Sequence, residues 1–139
     1  MGKFKIWPNA ERHVIRWLNA HTELTVYSLL PNNFGDHLPA AQVTRMGGTP
    51  GSDTETGARK VGNDRTIDIE ITVHTRTRGE LWSAAQQVET AMGGLAANGD
   101  AEWYVDDVSE VFAFAVDNYE NETKQRATAT YGLMVRPVP

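Results

Sequence analysis

Thr66-Ile67-Asp68-Ile69-Glu70-Ile71-Thr72-Val73-His74-Thr75 is the stretch that decides how this chain folds. Ile67, Ile69, Ile71 and Val73 alternate with Asp68, Glu70, Thr72 and His74, which is the two-residue period of a strand with one dry face and one wet face. The four apolar residues are all β-branched, a shape that packs well on a pleated surface. A strand buried on one side needs a cover there, so the pattern predicts helices lying on one face of a sheet. On the wet face, His74 beside Glu70 and Thr72 reads as a charge-paired surface histidine.

Outward from this strand the period changes. Leu81, Ala84, Ala85, Val88, Ala91, Met92 and Leu95 share one face of a helix over about 79–97, weakened in its last turn by Gly93-Gly94 and ended by Asn98-Gly99. Near the start, Asn9 is placed to cap an earlier helix, with Glu11 in its first turn and Ala10, Val14, Trp17, Leu18 and His21 on one face. Between the two helices, 24–30 is strand-like through Thr25, Val26 and Tyr27, and Pro31-Asn32-Asn33 and Gly35-Asp36 turn the chain. After Leu38-Pro39, a second strand over 41–46 stops at Gly47-Gly48. Two more strands follow the second helix. One covers 111–116, and the other covers 127–135, where Ala127, Ala129, Tyr131, Leu133 and Val135 alternate with Thr128, Thr130 and Met134; 117–124 is the turn between them.

This order lacks the regular strand-helix alternation of a doubly wound parallel fold. It predicts an α/β chain of the α+β kind: a mixed, mostly antiparallel sheet with two main helices packed on one face. A length of 139 residues suits a single domain over 1–139.

Residues 47–63 stand apart, with Gly47, Gly48, Gly51, Gly57, Gly62 and Pro50 among small polar residues and almost no large apolar side chains. Such a stretch is expected as a mobile glycine-rich loop, or as one ordered only against a partner. Arg45, Gly47, Gly48, Arg59 and Lys60 are therefore the candidate partner-binding residues, the cations pairing with acidic partner groups. A phosphate-binding role is disfavoured, because 51–60 has neither the Gly-x-x-x-x-Gly-Lys-Ser/Thr spelling nor a following helix.

The rest of the chain has little that spells chemistry. A net charge of -5 argues against a tight, salt-sensitive grip on nucleic acid. With no cysteine there is no disulfide framework, thiolate metal site or thiol nucleophile. His13, His21, His37 and His74 form no metal-ligand pair such as His-x-His, so no metal is expected. Asp106, Asp107 and Glu110, and Asp117, Glu120 and Glu122, lack calcium-loop spacing and read as acidic turn residues. There is no Gly-x-Ser-x-Gly elbow, and no catalytic or cofactor-binding residue is assigned. Trp7, Trp17, Trp82 and Trp103 read as packing rather than base-stacking groups. The segment 1–7 holds no apolar run long enough for a signal peptide or a membrane span, so export is not expected.

Four stretches together resemble the tail terminator family of long-tailed bacteriophages, also described as minor tail or tail-completion proteins. They are Pro8-Asn9-Ala10-Glu11-Arg12 leading to Trp17-Leu18; Leu38-Pro39 leading to Val43-Thr44-Arg45 and Gly47-Gly48; the Ile67 to Val73 alternation running into the second helix; and Arg126-Ala127-Thr128-Ala129-Thr130-Tyr131 before Val135-Arg136. The likeness spans nearly the whole chain and lies in order, spacing and length. The stretch 49–60 looks longer than the family's usual connection. The resemblance implies a virion protein of the tail-neck region, assembled in the bacterial host cytoplasm. Its copies would form a homo-hexameric ring that caps the major tail tube protein, ends tube growth and offers a surface to the head-tail connector or neck protein. DNA would pass through the lumen without specific binding, and neither a cofactor nor a membrane is involved. The nearest alternative is a head-to-tail connector or stopper of the same neck region. A small enzyme using the glycine-rich loop and the acidic turns is a further alternative.

Overall fold

The computed structural model describes residues 9–52, 59–98, 105–117 and 124–135. Its first helix, α1 (Ala10–His21), begins where Asn9 accepts the Arg12 backbone N–H at 3.1 Å through its side-chain oxygen, satisfying a donor that the first helical turn leaves unpaired. Ala10, Val14 and Leu18 are buried, as their spacing predicts. Trp17 is half-buried, its indole N–H donating to the Ala91 carbonyl at 2.8 Å, whereas His21 is exposed at the helix end with its ring against Trp17.

Four elements follow: β1 (Thr25–Tyr27), a short 3-10 turn (Phe34–His37), β2 (Ala40–Ser52) and β3 (Arg59–Thr75). Next is α2 (Arg78–Gly93), whose Thr77 cap accepts the Glu80 N–H at 3.2 Å. Gly94 then interrupts the helix before α3 (Leu95–Asn98), and β4 (Val105–Val116) and β5 (Gln125–Val135) complete the order. The predicted long helix is thus two pieces, broken at the glycine pair that weakens it.

The five strands form one sheet in the order β1-β2-β3-β5-β4. β1 runs parallel to β2, and every other neighbouring pair is antiparallel. The mixed, mostly antiparallel sheet with helices on one face is therefore observed. Ile67, Ile69, Ile71 and Val73 all lie at 0% exposure, against Ala41 and Val43 of β2, Ala127, Ala129 and Leu133 of β5, and the buried stripes of α1 and α2. All seven residues read as the second helix's apolar stripe are buried.

The largest departure from expectation concerns 47–63. Gly47–Ser52 continue β2 and residues 59–63 begin β3, so both flanks of the supposed loop are strand; residues 53–58 lie outside the described residues. Backbone pairing between strands needs no apolar side chains, and the register set by Ile67 to Val73 extends, past one bulge, to Pro50–Arg65 before it shifts to Gly51–Lys60 and Ser52–Arg59. Similarly, Asp106, Asp107 and Glu110 sit on β4 rather than in a turn. Glu120 and Glu122, with Trp7 and Trp103, lie outside the described residues. The first strand is shorter than its apolar run, because the chain leaves the sheet after Tyr27.

Candidate functional site

Two regions offer themselves as functional surfaces, the outer part of the β2–β3 ribbon and the polar face of the sheet. On the ribbon, exposed Arg45 lies opposite Ile69, and a bulge then takes up Met46 so that Gly47 pairs with Asp68 and Gly48 with Ile67. Gly47 makes the bulge with a φ of +119°, a backbone state that residues with a Cβ avoid. Farther out, Gly51 pairs with Lys60 and Ser52 with Arg59. The fold thus brings Arg59 and Lys60 to the same end of the ribbon as 51–52. Arg45 is separated from that end by six residues of strand, roughly 20 Å. The five candidate residues are spread along one arm and do not form one cluster.

Gly47 carries a prediction. A Cβ there would have open space around it, so any loss comes from the backbone alone. Gly47→Ala is expected to cost about 1–3 kcal/mol, read as a lower urea midpoint with an unchanged slope.

Opposite the helices, Gln42, Glu70, Thr72, Arg126 and Thr128 line the polar face of the sheet, where with Leu30, Phe34, His74 and Asp117 they bound a cavity of about 500 Å³. A chain of short contacts crosses its floor. Arg126 Nε meets Asp117 Oδ2 at 2.8 Å, Thr128 Oγ1 donates to the same oxygen at 3.1 Å, and the Thr72 and Thr128 hydroxyls lie 3.2 Å apart.

His74 overturns the sequence reading. Far from being a charge-paired surface group, it is 4% exposed. Its ring and that of Phe34 meet in an edge-type arrangement with centroids 5.0 Å apart, and Lys124 Nζ stands 4.6 Å from the centre of the Phe34 ring. The turn carrying Phe34 covers this part of the wet face, and Arg126 of β5 is the in-sheet partner of His74. Burial, then the positive charges of Arg126 and Lys124, push the imidazole pKa down from 6.5 to about 4 against a smaller opposing effect of Asp117. His74 is therefore neutral at pH 7, and its Nδ1 has no hydrogen-bond partner among the described residues. A neutral buried imidazole beside a paired arginine and aspartate braces the sheet against the turn.

The β4 edge was not foreseen. Val111 is 46% exposed and Phe112 68%, with exposed Asp107 and Glu110 on the same strand. The one sequence signal for it is the run Val111-Phe112-Ala113-Phe114, apolar without alternation next to acidic residues. Phe114 takes the core side. On neighbouring β5, the Tyr131 hydroxyl is buried without a hydrogen-bond partner among the described residues, and burial followed by the charges of Glu110 and Glu89 raises its pKa above the ordinary phenol value.

No group of three or more His, Cys, Asp or Glu side chains suited to a metal ion occurs among the described residues. No helix among them is long and apolar enough to cross a membrane. Neither a protein-family model nor a curated protein matches this chain.

Proposed function

We propose that this chain is a structural subunit of a bacteriophage tail, akin to the tail terminators, that caps the tail tube as a homo-hexameric ring and performs no bond chemistry. The observation that carries the reading is the β2–β3 ribbon. Among the described residues β5 accompanies β3 as far as Val135 opposite Arg65, and β2 and β3 pair beyond that level at Gly51–Lys60 and Ser52–Arg59, after a shift in register. A ribbon whose outermost pairs have no third strand beside them among the described residues is suited to gripping a neighbouring subunit or the last ring of a tube. The exposed side chains of Arg45 and Met46 on the same strand suit a contact that is part ionic and part apolar.

Capping needs one face that matches the tube and another that refuses further tube subunits, a specificity achieved by shape and charge without a catalytic group. An isolated chain that is monomeric would still fit, since a tube end gathers copies at high effective concentration.

Purified chain added to polymerising tail tube subunits tests the reading by electron microscopy. Tubes are expected to stop growing and to carry extra density at one end. Unchanged elongation with bare ends would count against it, and binding to DNA-filled heads in place of tubes would favour the connector alternative.

A further inference from the structure

The sheet has two edges, and they are not alike. On one side β1 covers only Ala40, Ala41 and Gln42 of β2. The outer side of β1 is itself occupied, because the Val26 N–H donates to Asn19 Oδ1 at 3.0 Å and Asn19 Nδ2 donates to the Val26 carbonyl at 3.3 Å. From Val43 onward, no second strand lies beside β2 among the described residues. On the far side, β4 pairs with β5 and with no other strand among the described residues.

These two open edges complement each other. Met46 is 57% exposed on one, and Val111 and Phe112 are exposed on the other. Arg45 gives the first edge a positive charge, while Asp107 and Glu110 give the second negative charge. They also stand level. Arg45, Ile69, Tyr131 and Glu110 are successive partners across the sheet, as are Thr44, Glu70, Thr130 and Phe112.

We propose that β4 of one copy adds to the outer part of β2, from Val43 onward, of the next copy, joining copies head to tail in one continuous sheet. Strands β2, β3, β5 and β4 alternate in direction, so a neighbour related by rotation presents its β2 antiparallel to β4, the better-paired arrangement. In the unstaggered register Arg45 of one copy opposes Glu110 of the other. Each copy uses two different patches, the kind of contact that closes into a ring when the rotation allows. The occupant is a second copy because charge, apolar exposure and level match between two edges of the same chain. Bulges beside Met46 and Val111 restrict pairing to a short register, which keeps such edges from joining indiscriminately. This deepens the ring reading above by naming the two surfaces that would close it.

The chain has no cysteine, so disulfide trapping reports only on introduced thiols. Two double variants serve, Arg45→Cys with Glu110→Cys and Thr44→Cys with Phe112→Cys, oxidised in solution and on tail tubes. A ladder of covalent multimers running beyond the dimer is expected from at least one of them, and none from the four single variants. Phe112→Arg, at an exposed position, is expected to abolish multimers in native mass measurement and on tubes while leaving the melting temperature within a degree or two. Multimers that persist in Phe112→Arg and resist trapping at both pairs would overturn this interface and leave the ring reading standing. A chain that stays monomeric in solution and caps no tube would overturn both.

Discussion

Replacing Ile69 by alanine is expected to destabilise the chain by about 2–5 kcal/mol, the range for emptying a well-packed aliphatic site. Ile69 lies at 0% exposure on β3, between Arg45 of β2 and Tyr131 of β5, on the face covered by the helices. Strands on both sides and helices above leave little freedom for neighbours to collapse into the space. Domains of this kind are stable by roughly 5–15 kcal/mol in total, so one such change removes a large fraction. Urea unfolding followed by circular dichroism measures it as a lower midpoint. Met134→Ala on the exposed face of β5, where the side chain is 40% exposed, is the control and is expected to move stability by no more than about 0.5 kcal/mol. Equal losses at the two positions would mean that the core is not where the fold places it.

The second large effect is acid sensitivity from His74. Unfolded, the imidazole takes a proton near pH 6.5; folded, it resists until about pH 4. Between those values the unfolded chain binds more protons, and acid therefore pulls the equilibrium toward it. The stabilisation due to a neutral His74 is full above pH 6.5, declines as the pH falls, and is gone below about 4. At about 1.4 kcal/mol per pKa unit, the loss is on the order of 3 kcal/mol. Other acidic groups also titrate in this range, so the informative quantity is the difference between the native chain and His74→Gln. Unfolding free energies at pH 7, 5.5 and 4 should show a steeper decline for the native chain, even if the variant starts lower for lack of the contact with Phe34. Parallel declines would show that the imidazole charges freely in the folded protein.

These two sites also mark what could and could not be read from the residues. The Ile67 to Val73 alternation and the stripe from Leu81 to Leu95 were legible because the period of burial is written locally, residue by residue. His74 was misread for the opposite reason. Alternation correctly assigns it to the polar face, but the cover over it comes from Phe34 in a distant turn, and the positive charges beside it from Lys124 and Arg126. Burial by non-local cover leaves no periodic trace. The stretch 47–63 reads as loop because its side chains cannot build a core, although backbone pairing with the registered strand carries β2 to Pro50 and a shifted pairing adds Gly51–Lys60 and Ser52–Arg59. On β4, Asp107 and Glu110 broke the expected alternation and suggested a turn; an edge strand exposed to water tolerates charges that a central strand would not. Arg45 and Gly47 are candidates that the sequence itself offers, whereas the Phe112 edge and the cavity beside His74 emerge only from the pairing order of the strands.

A chain that caps a tube through shape-matched contacts, as proposed, sets tail length and makes the end competent for a head. The most direct measurement is the tail length distribution, with head attachment, in particles assembled without this chain. Overlong tubes of scattered length lacking heads are the expected result. Tails of uniform length joined to heads would contradict it.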